Sequence, residues 1–158
     1  MTVDPVDFMH SLCRFVANRS GLAYAAASPQ KSDLFRLAIL EDYAGDPATG
    51  LLPYGGAGTS WEAVPSLSIQ VATEGTSREA VLTRAQRVFE SLLNDEGRPL
   101  SMIDFPGYRA ADDAKDGSWR ILGLRFLQRP GLIGMNAKNR PRAVFNVDCD
   151  FCRTPARG

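Results

Sequence analysis

The sequence predicts an α+β domain: a mainly antiparallel sheet of about five strands, two helices packed on one side of it, and a long hairpin near the C-terminus. Three observations carry this. Two segments keep a helical apolar period. Five others alternate like half-buried strands or are apolar on both faces. Their order is α-β-β-α-β-β-β, and consecutive strands favour antiparallel pairing over βαβ units. The 158 residues suit one domain, expected over 1–152 with a flexible tail at 153–158.

Asp4 can cap a helix and Pro5 suits its first position. Val6, Met9, Leu12, Cys13 and Val16 then share a face, joined by Phe8 and Phe15, and Gly21 is a suitable stop. The first helix is therefore expected over about 4–19. Leu34 to Leu40 is the first expected strand, apolar on both faces. Asp42 to Trp61 reads as a long loop, because Gly45, Pro47, Gly50, Pro53, Gly55, Gly56 and Gly58 punctuate it. In Ser66 to Val71, residues Leu67, Ile69 and Val71 face in while Ser66, Ser68 and Gln70 face out. Thr76 and Glu79 have the spacing of a capping box. Val81, Leu82, Ala85, Val88, Phe89, Leu92 and Leu93 keep the helical period, so a second helix is expected over about 77–94. Arg84, Arg87 and Glu90 fall off its apolar stripe.

A short strand at 99–103 and a polar loop at 105–117 follow. Trp119 to Gln128 is a strand apolar on both faces, and 129–141 is a Gly- and Asn-rich connection. The closing strand is expected over 142–152. Ala143, Phe145, Val147, Cys149 and Phe151 face in; Val144, Asn146, Asp148 and Asp150 face out. The last two strands form the expected hairpin.

Hydrophobic residues make up 44% and charged residues 23%, ordinary values for a soluble globular chain. Eighteen basic residues balance eighteen acidic ones, which argues against a polybasic nucleic-acid binder and an acidic disordered tail. The balance hides a split. From Trp119 onward eight basic residues face two acidic ones, a net +6, which leaves −6 on residues 1–118. Fifteen of the basic residues are Arg, the side chain suited to bidentate pairs and interfaces. The first residues lack the basic start and apolar core of a secretory signal, and no apolar stretch approaches a membrane span. Three cysteines, an odd number, suit a reducing cytoplasm.

Little in the chain carries catalytic chemistry. His10, the only histidine, precedes Cys13 by three residues, but Cys13 lies in the apolar stripe and reads as a core residue. Cys149 and Cys152 have C-x-x-C spacing, yet residues three apart in a strand point to opposite faces and no second ligand pair exists for zinc. Asp112 to Gly117 lacks the carboxylates of a calcium loop at its third and twelfth positions. Asp148 and Asp150 share a strand face and read as solvated carboxylates. Gly55, Gly56 and Gly58 lack the Lys-Ser/Thr of a phosphate loop, and Ser60 has Glu62 where a nucleophile elbow needs glycine. No catalytic, metal-binding or cofactor-binding residue is therefore expected.

One pattern spans most of the chain: an N-terminal helix, a strand, a Gly/Pro-rich loop, Val64-Pro65 through Val71, and a capped helix ending Phe89-Glu-Ser-Leu-Leu93. A strand opening with Trp119 follows, then Arg129-Pro130-Gly-Leu-Ile-Gly134-Met-Asn-Ala-Lys-Asn139-Arg140, and Asn146 in the closing strand. This resembles the tail terminator (tail completion, minor capsid) proteins of long-tailed bacteriophages and gene transfer agents. That family often shows a P-x-x-x-G segment, a Gly-Arg turn and an Asn in its last strand. Here Pro130 to Gly134 fits, Asn139-Arg140 stands where Gly-Arg is commoner, and Asn tolerates the same left-handed conformation.

The resemblance implies a structural virion protein, not an enzyme. It would form a hexameric ring at the head-proximal end of the tail, stop tube polymerisation and join the tail to the head. Implied partners are its own copies, the major tail tube protein and the head closure (stopper) protein, with DNA passing through the lumen without specific binding, and no membrane. A ring needs two different side surfaces on each subunit. The two long loops and the 129–141 connection are expected to supply contacts, with Tyr54, Trp61, Tyr108, Arg109, Arg129, Leu132, Ile133, Met135, Arg140 and Arg142 as contact candidates. The split charge suggests ion pairs between subunits. Another head–tail connector, a small nucleic-acid-binding domain and a small α+β enzyme are the alternatives.

Overall fold

The computed structural model describes residues 5–26, 38–41, 47–55, 66–135 and 139–154. They form α1 (Pro5–Ser20), β1 (Ala23–Ala26), β2 (Ala38–Glu41), β3 (Ala48–Gly55), β4 (Ser66–Glu74), α2 (Arg78–Ser91), β5 (Ile103–Tyr108), β6 (Lys115–Phe126), β7 (Gly131–Met135) and β8 (Pro141–Thr154). One sheet runs β1-β2-β3-β4-β8-β6-β5, with β7 also paired to β8, and every described pair is antiparallel. The α+β architecture with two helices on an antiparallel sheet is as expected.

Both helices cover the same face. Leu67, Ile69 and Val71 of β4 lie opposite Cys149, Val147 and Phe145 of β8 in register, and all six are buried. Phe8, Met9, Leu12, Cys13 and Val16 of α1 and Val88, Phe89 and Leu92 of α2 close over them in one core. Phe8 is its aromatic centre: it stacks on Phe151 at 3.7 Å between ring centroids and meets Trp119 edge-on at 5.4 Å. The strict alternation of β4 follows from one face being packed under both helices and the other carrying no described helix.

The helix ends follow local chemistry, with one correction. Gly21 takes φ +71°, and the Leu22 N–H reaches the Ala17 carbonyl, the six-to-one bond of a Schellman stop. The cap of α2 is Ser77 rather than Thr76. The Ser77 hydroxyl accepts the Ala80 N–H at 3.3 Å, so the cap moves by one residue and the expected Thr76–Glu79 capping box is replaced by a simple serine cap, with Ala80 at the third position. Arg84 does not sit off the buried face as expected. Its side chain is 3% exposed and donates to the Leu40 carbonyl at 3.0 Å, which ties α2 to β2.

Turn residues misled the strand boundaries. Of the expected Leu34 to Leu40 strand, 34–37 lie outside the described residues and the strand continues to Glu41. The expected loop at 42–61 contains β3. Gly50 is paired on both sides, and Pro53 lies beyond Leu51, where the described part of β2 ends, next to a bulge at Pro53/Gly55, a position that needs no N–H toward β2. β1 was not expected at all, being only four residues long. The strand expected at 99–103 is a single bridge from Leu93 to Pro99, and β5 begins at Ile103. β5 accommodates Pro106 at a bulge on the sheet edge, so the expected loop at 105–117 shrinks to 109–114.

The C-terminal hairpin is present but interrupted. β6 pairs with β8 from Ser118↔Thr154 to Phe126↔Val147, the Leu127 N–H reaches the Asn146 carbonyl, and β7 resumes on the same edge of β8 from Gly131↔Val144. The expected connection at 129–141 therefore holds a strand. β8 also runs on to Thr154, where Arg153 and Thr154 donate to the carbonyls of Asp116 and Ser118. Residues 153 and 154, expected in the tail, therefore belong to the strand, and 155–158 lie outside the described residues.

Candidate assembly surface

The antiparallel register sorts the contact candidates between two ends of the sheet. At one end, β3 begins, β4 finishes and β8 begins, with β7 and the start of α2 beside them. Leu132, Ile133, Arg140 and Arg142 gather there, and Arg129 lies in the link that leads into β7. At the other end β3 finishes, β8 finishes, and the 109–114 turn joins β5 to β6. Tyr54, Tyr108 and Arg109 lie there. Trp61 lies outside the described residues, and of Met135 the backbone alone is described, paired with Pro141.

At the first end, the backbone of β7 folds back onto β8, yet Leu132 is 43% and Ile133 58% exposed. Leu132 and Gly134 line a small cleft with Arg78 and Pro141. Arg142 meets Glu74 across the β4–β8 pair at 3.5 Å, a charge contact on a half-exposed surface. Arg140 is half-buried in the turn before β8, and Arg129 is exposed. Asn139 holds φ +59°, the left-handed turn that Asn accepts.

At the second end, Tyr54 stands out at 53% exposure. The Tyr108 ring lies under the Arg14 guanidinium, 4.0 Å from its centroid, and its backbone brackets the Ser11 hydroxyl. Arg109 pairs with Asp112 at 3.0 Å within the turn. These contacts hold the turn onto α1, as does the Ala110 N–H on the Asp7 carboxylate at 2.8 Å.

A chain of polar side chains that the sequence did not announce runs from this turn through α1 to β1. Tyr24 Oη lies 2.6 Å from His10 Nδ1, His10 Nε2 lies 2.7 Å from Asp113 Oδ1, and Arg14 Nη1 donates to Asp113 Oδ2 at 2.6 Å. An ionised carboxylate only accepts, so Nε2 carries the proton that Asp113 accepts, while Nδ1 shares a hydrogen bond with the Tyr24 hydroxyl. Burial works against the Asp113 charge, but the His10 hydrogen bond and the Arg14 charge outweigh it and hold the carboxyl below its ordinary range. Burial pushes the Tyr24 phenol up, which opposes a tyrosinate nucleophile. His10 and Asp113 are 103 positions apart, and nothing local in the sequence signals their meeting.

The remaining reactive candidates do not converge. Cys13 is fully buried among apolar side chains, and burial pushes its thiol up. Cys149 is buried and Cys152 half-buried, on opposite faces of β8. Asp104 pairs with Arg120 at 2.6 Å, Asp112 with Arg109, and Asp148 with Arg125 at 2.6 Å. Hydrogen bonds from Arg125 and Ser68 lower the Asp148 carboxyl. Among the described residues no group of three His, Cys, Asp or Glu side chains is placed to hold a metal ion, and no helix is long and apolar enough to cross a membrane.

The charge split is settled in part inside the subunit. Arg120, Arg125, Arg142 and Arg153 pair with Asp104, Asp148, Glu74 and Asp116 of the same chain. Half of the eight basic residues from Trp119 onward are thereby neutralised, which leaves less for ion pairs between subunits or with phosphates. No protein-family model and no curated protein matches the chain.

Proposed function

We propose that this protein is a tail terminator, a structural ring that closes the head-proximal end of a phage-type tail tube and receives the head's closure protein. One observation carries the reading. The contact candidates, taken from the two long loops and the 129–141 connection, divide between opposite ends of the sheet. Leu132, Ile133, Arg140 and Arg142 lie at one end, and Tyr54, Tyr108 and Arg109 at the other. A protein held between a tube below and a head above needs two such axial surfaces, besides two side surfaces for its neighbours. Exposed Leu132, Ile133 and Tyr54 suit burial against a partner.

The dispersal of the carboxylates into separate ion pairs supports a structural rather than a catalytic role. The in-chain pairing of the arginines supports passage of DNA over tight DNA binding. Negative-stain images of the protein mixed with purified tail tubes test the reading. A ring seated at one end of each tube is expected; tubes with two bare ends would overturn it.

A further inference from the structure

Among the described residues one long edge of the sheet has no neighbouring strand. β5 covers β6 from Lys115 to Ile121, and the Ser101 hydroxyl takes the Leu122 carbonyl at 3.1 Å. Beyond that point no described strand lies beside the outer side of β6, the 127–130 link or β7, a stretch running from Gly123 to Met135. Around Gly123, Gly131 and Gly134 a Cβ would meet nothing within 4 Å.

The exposed apolar side chains concentrate there. Met102 (60% exposed) stands where β5 begins, Leu127 (52%) in the link, and Leu132 and Ile133 on β7, with Leu82 of α2 also exposed. The covered part of this side is differently built. β5 has Pro106, a bulge and the Asp104–Arg120 ion pair, devices that stop another strand from adding. From Gly131 to Met135 there is neither a charge nor a proline. Arg125, Arg129 and Pro130 guard the Gly123–Pro130 part of the edge, whereas the unguarded Gly131–Met135 segment invites pairing with another chain, and its backbone calls for an extended segment rather than a helix.

We infer that this edge, centred on Gly131–Met135, is a subunit contact, completed by the β1 strand of a second copy, so that the sheet continues from one subunit to the next. β1 is the strand at the opposite end of the same sheet, and no described strand lies on its outer side. Two different open edges on one sheet make a head-to-tail contact, which closes into a ring when the rotation closes. The sequence of β1, Ala-Tyr-Ala-Ala, like that of Gly131–Met135, holds neither a charge nor a proline to oppose pairing. This deepens the terminator reading and rests on it for ring closure.

Sedimentation and hydrogen exchange on the full chain, with Ile133→Lys and Leu127→Lys, test the contact. Both side chains are exposed, so each variant should keep native circular dichroism and a single cooperative thermal transition, and an edge lysine opposes strand addition. The wild type is expected as a multimer of the 17.2 kDa chain, with amides slowed in both 23–26 and 123–135. Each variant is expected as a monomer with both stretches exchanging faster by tenfold or more. A wild-type multimer in which these stretches exchange freely, or variants that assemble unchanged, would overturn the edge contact and leave the ring reading standing. A dimer protected only at 123–135 would mean a two-fold contact and overturn the head-to-tail form. A wild type that stays monomeric yet caps tubes would overturn the second copy as occupant while the terminator reading survives.

Discussion

Arg19 and Arg87 cap each other's helices. Arg19 of α1 donates to the carbonyls of Ser91 and Leu93 at the end of α2, at 2.6 and 2.9 Å. Arg87 of α2 donates to Ser20 and Gly21 at the end of α1, at 2.6 and 3.3 Å. Each guanidinium satisfies carbonyls that a helix end leaves without an intrahelical donor, and each places positive charge at a negative helix terminus. Arg87→Met should cost about 1–2 kcal/mol, because charge-assisted bonds to carbonyls are lost while the aliphatic stem is kept. Arg87→Lys should recover less than half of that, since one ammonium cannot reproduce the fork. Urea unfolding of the three proteins checks both.

Gly21 is bound into the same arrangement. It holds φ +71°, and a Cβ there would lie 3.0 Å from the Arg87 guanidinium. Gly97 holds φ +76° with nothing within 4 Å of a Cβ. Gly97→Ala should therefore cost about 1 kcal/mol from the left-handed backbone alone. Gly21→Ala should cost more, about 2 kcal/mol, by displacing Arg87 as well. Equal losses in thermal unfolding would remove the steric part.

Thr49 and Thr73 share a buried hydrogen bond at 2.8 Å between β3 and β4, with both residues 0% exposed. Thr73→Val leaves the Thr49 hydroxyl without this partner and should cost about 1–3 kcal/mol. The double replacement Thr49→Val with Thr73→Val removes both hydroxyls at nearly constant volume and should regain most of the loss. A double-mutant cycle reads this as a coupling of about 1 kcal/mol or more.

These elements differ in how far the sequence revealed them. β4 and α2 were legible because each has one packed face and therefore one clean period. β3 was not, because Gly50, Pro53 and Gly55 look like punctuation, and only its position beside β4 and past the described reach of β2 makes them acceptable. The burial of Arg84 follows from the Leu40 carbonyl above it, a long-range contact with no periodic trace. On the assembly surface, Leu132 and Ile133 were visible as apolar residues at a turn-rich tip, whereas Leu127 and Met102 looked like interior strand residues. Their exposure depends on where β5 stops, which pairing alone decides.

The Asp113 carboxylate gives a pH signature. Its folded-state pKa lies below the ordinary value, so its contribution is complete above about pH 4 and is lost as pH falls through the folded value. The group is half exposed, so the effect at neutral pH is small, about 1 kcal/mol or less. Asp113→Asn keeps the left-handed turn at φ +57° while removing the charge. Between pH 5 and pH 2, stability of the wild type should fall more steeply than that of the variant, as read by urea midpoints at each pH. Parallel curves would contradict the His10–Asp113–Arg14 linkage.

The central proposal, termination of a tail tube, is tested most directly by following tube growth. Purified tube protein is polymerised with and without this protein, and tube lengths are measured by electron microscopy over time. The account predicts that wild-type protein halts elongation at one end, so lengths stop increasing once every tube carries a cap, and that Ile133→Lys leaves growth unchecked. Tubes that lengthen at the same rate in the presence and absence of the wild-type protein would contradict it.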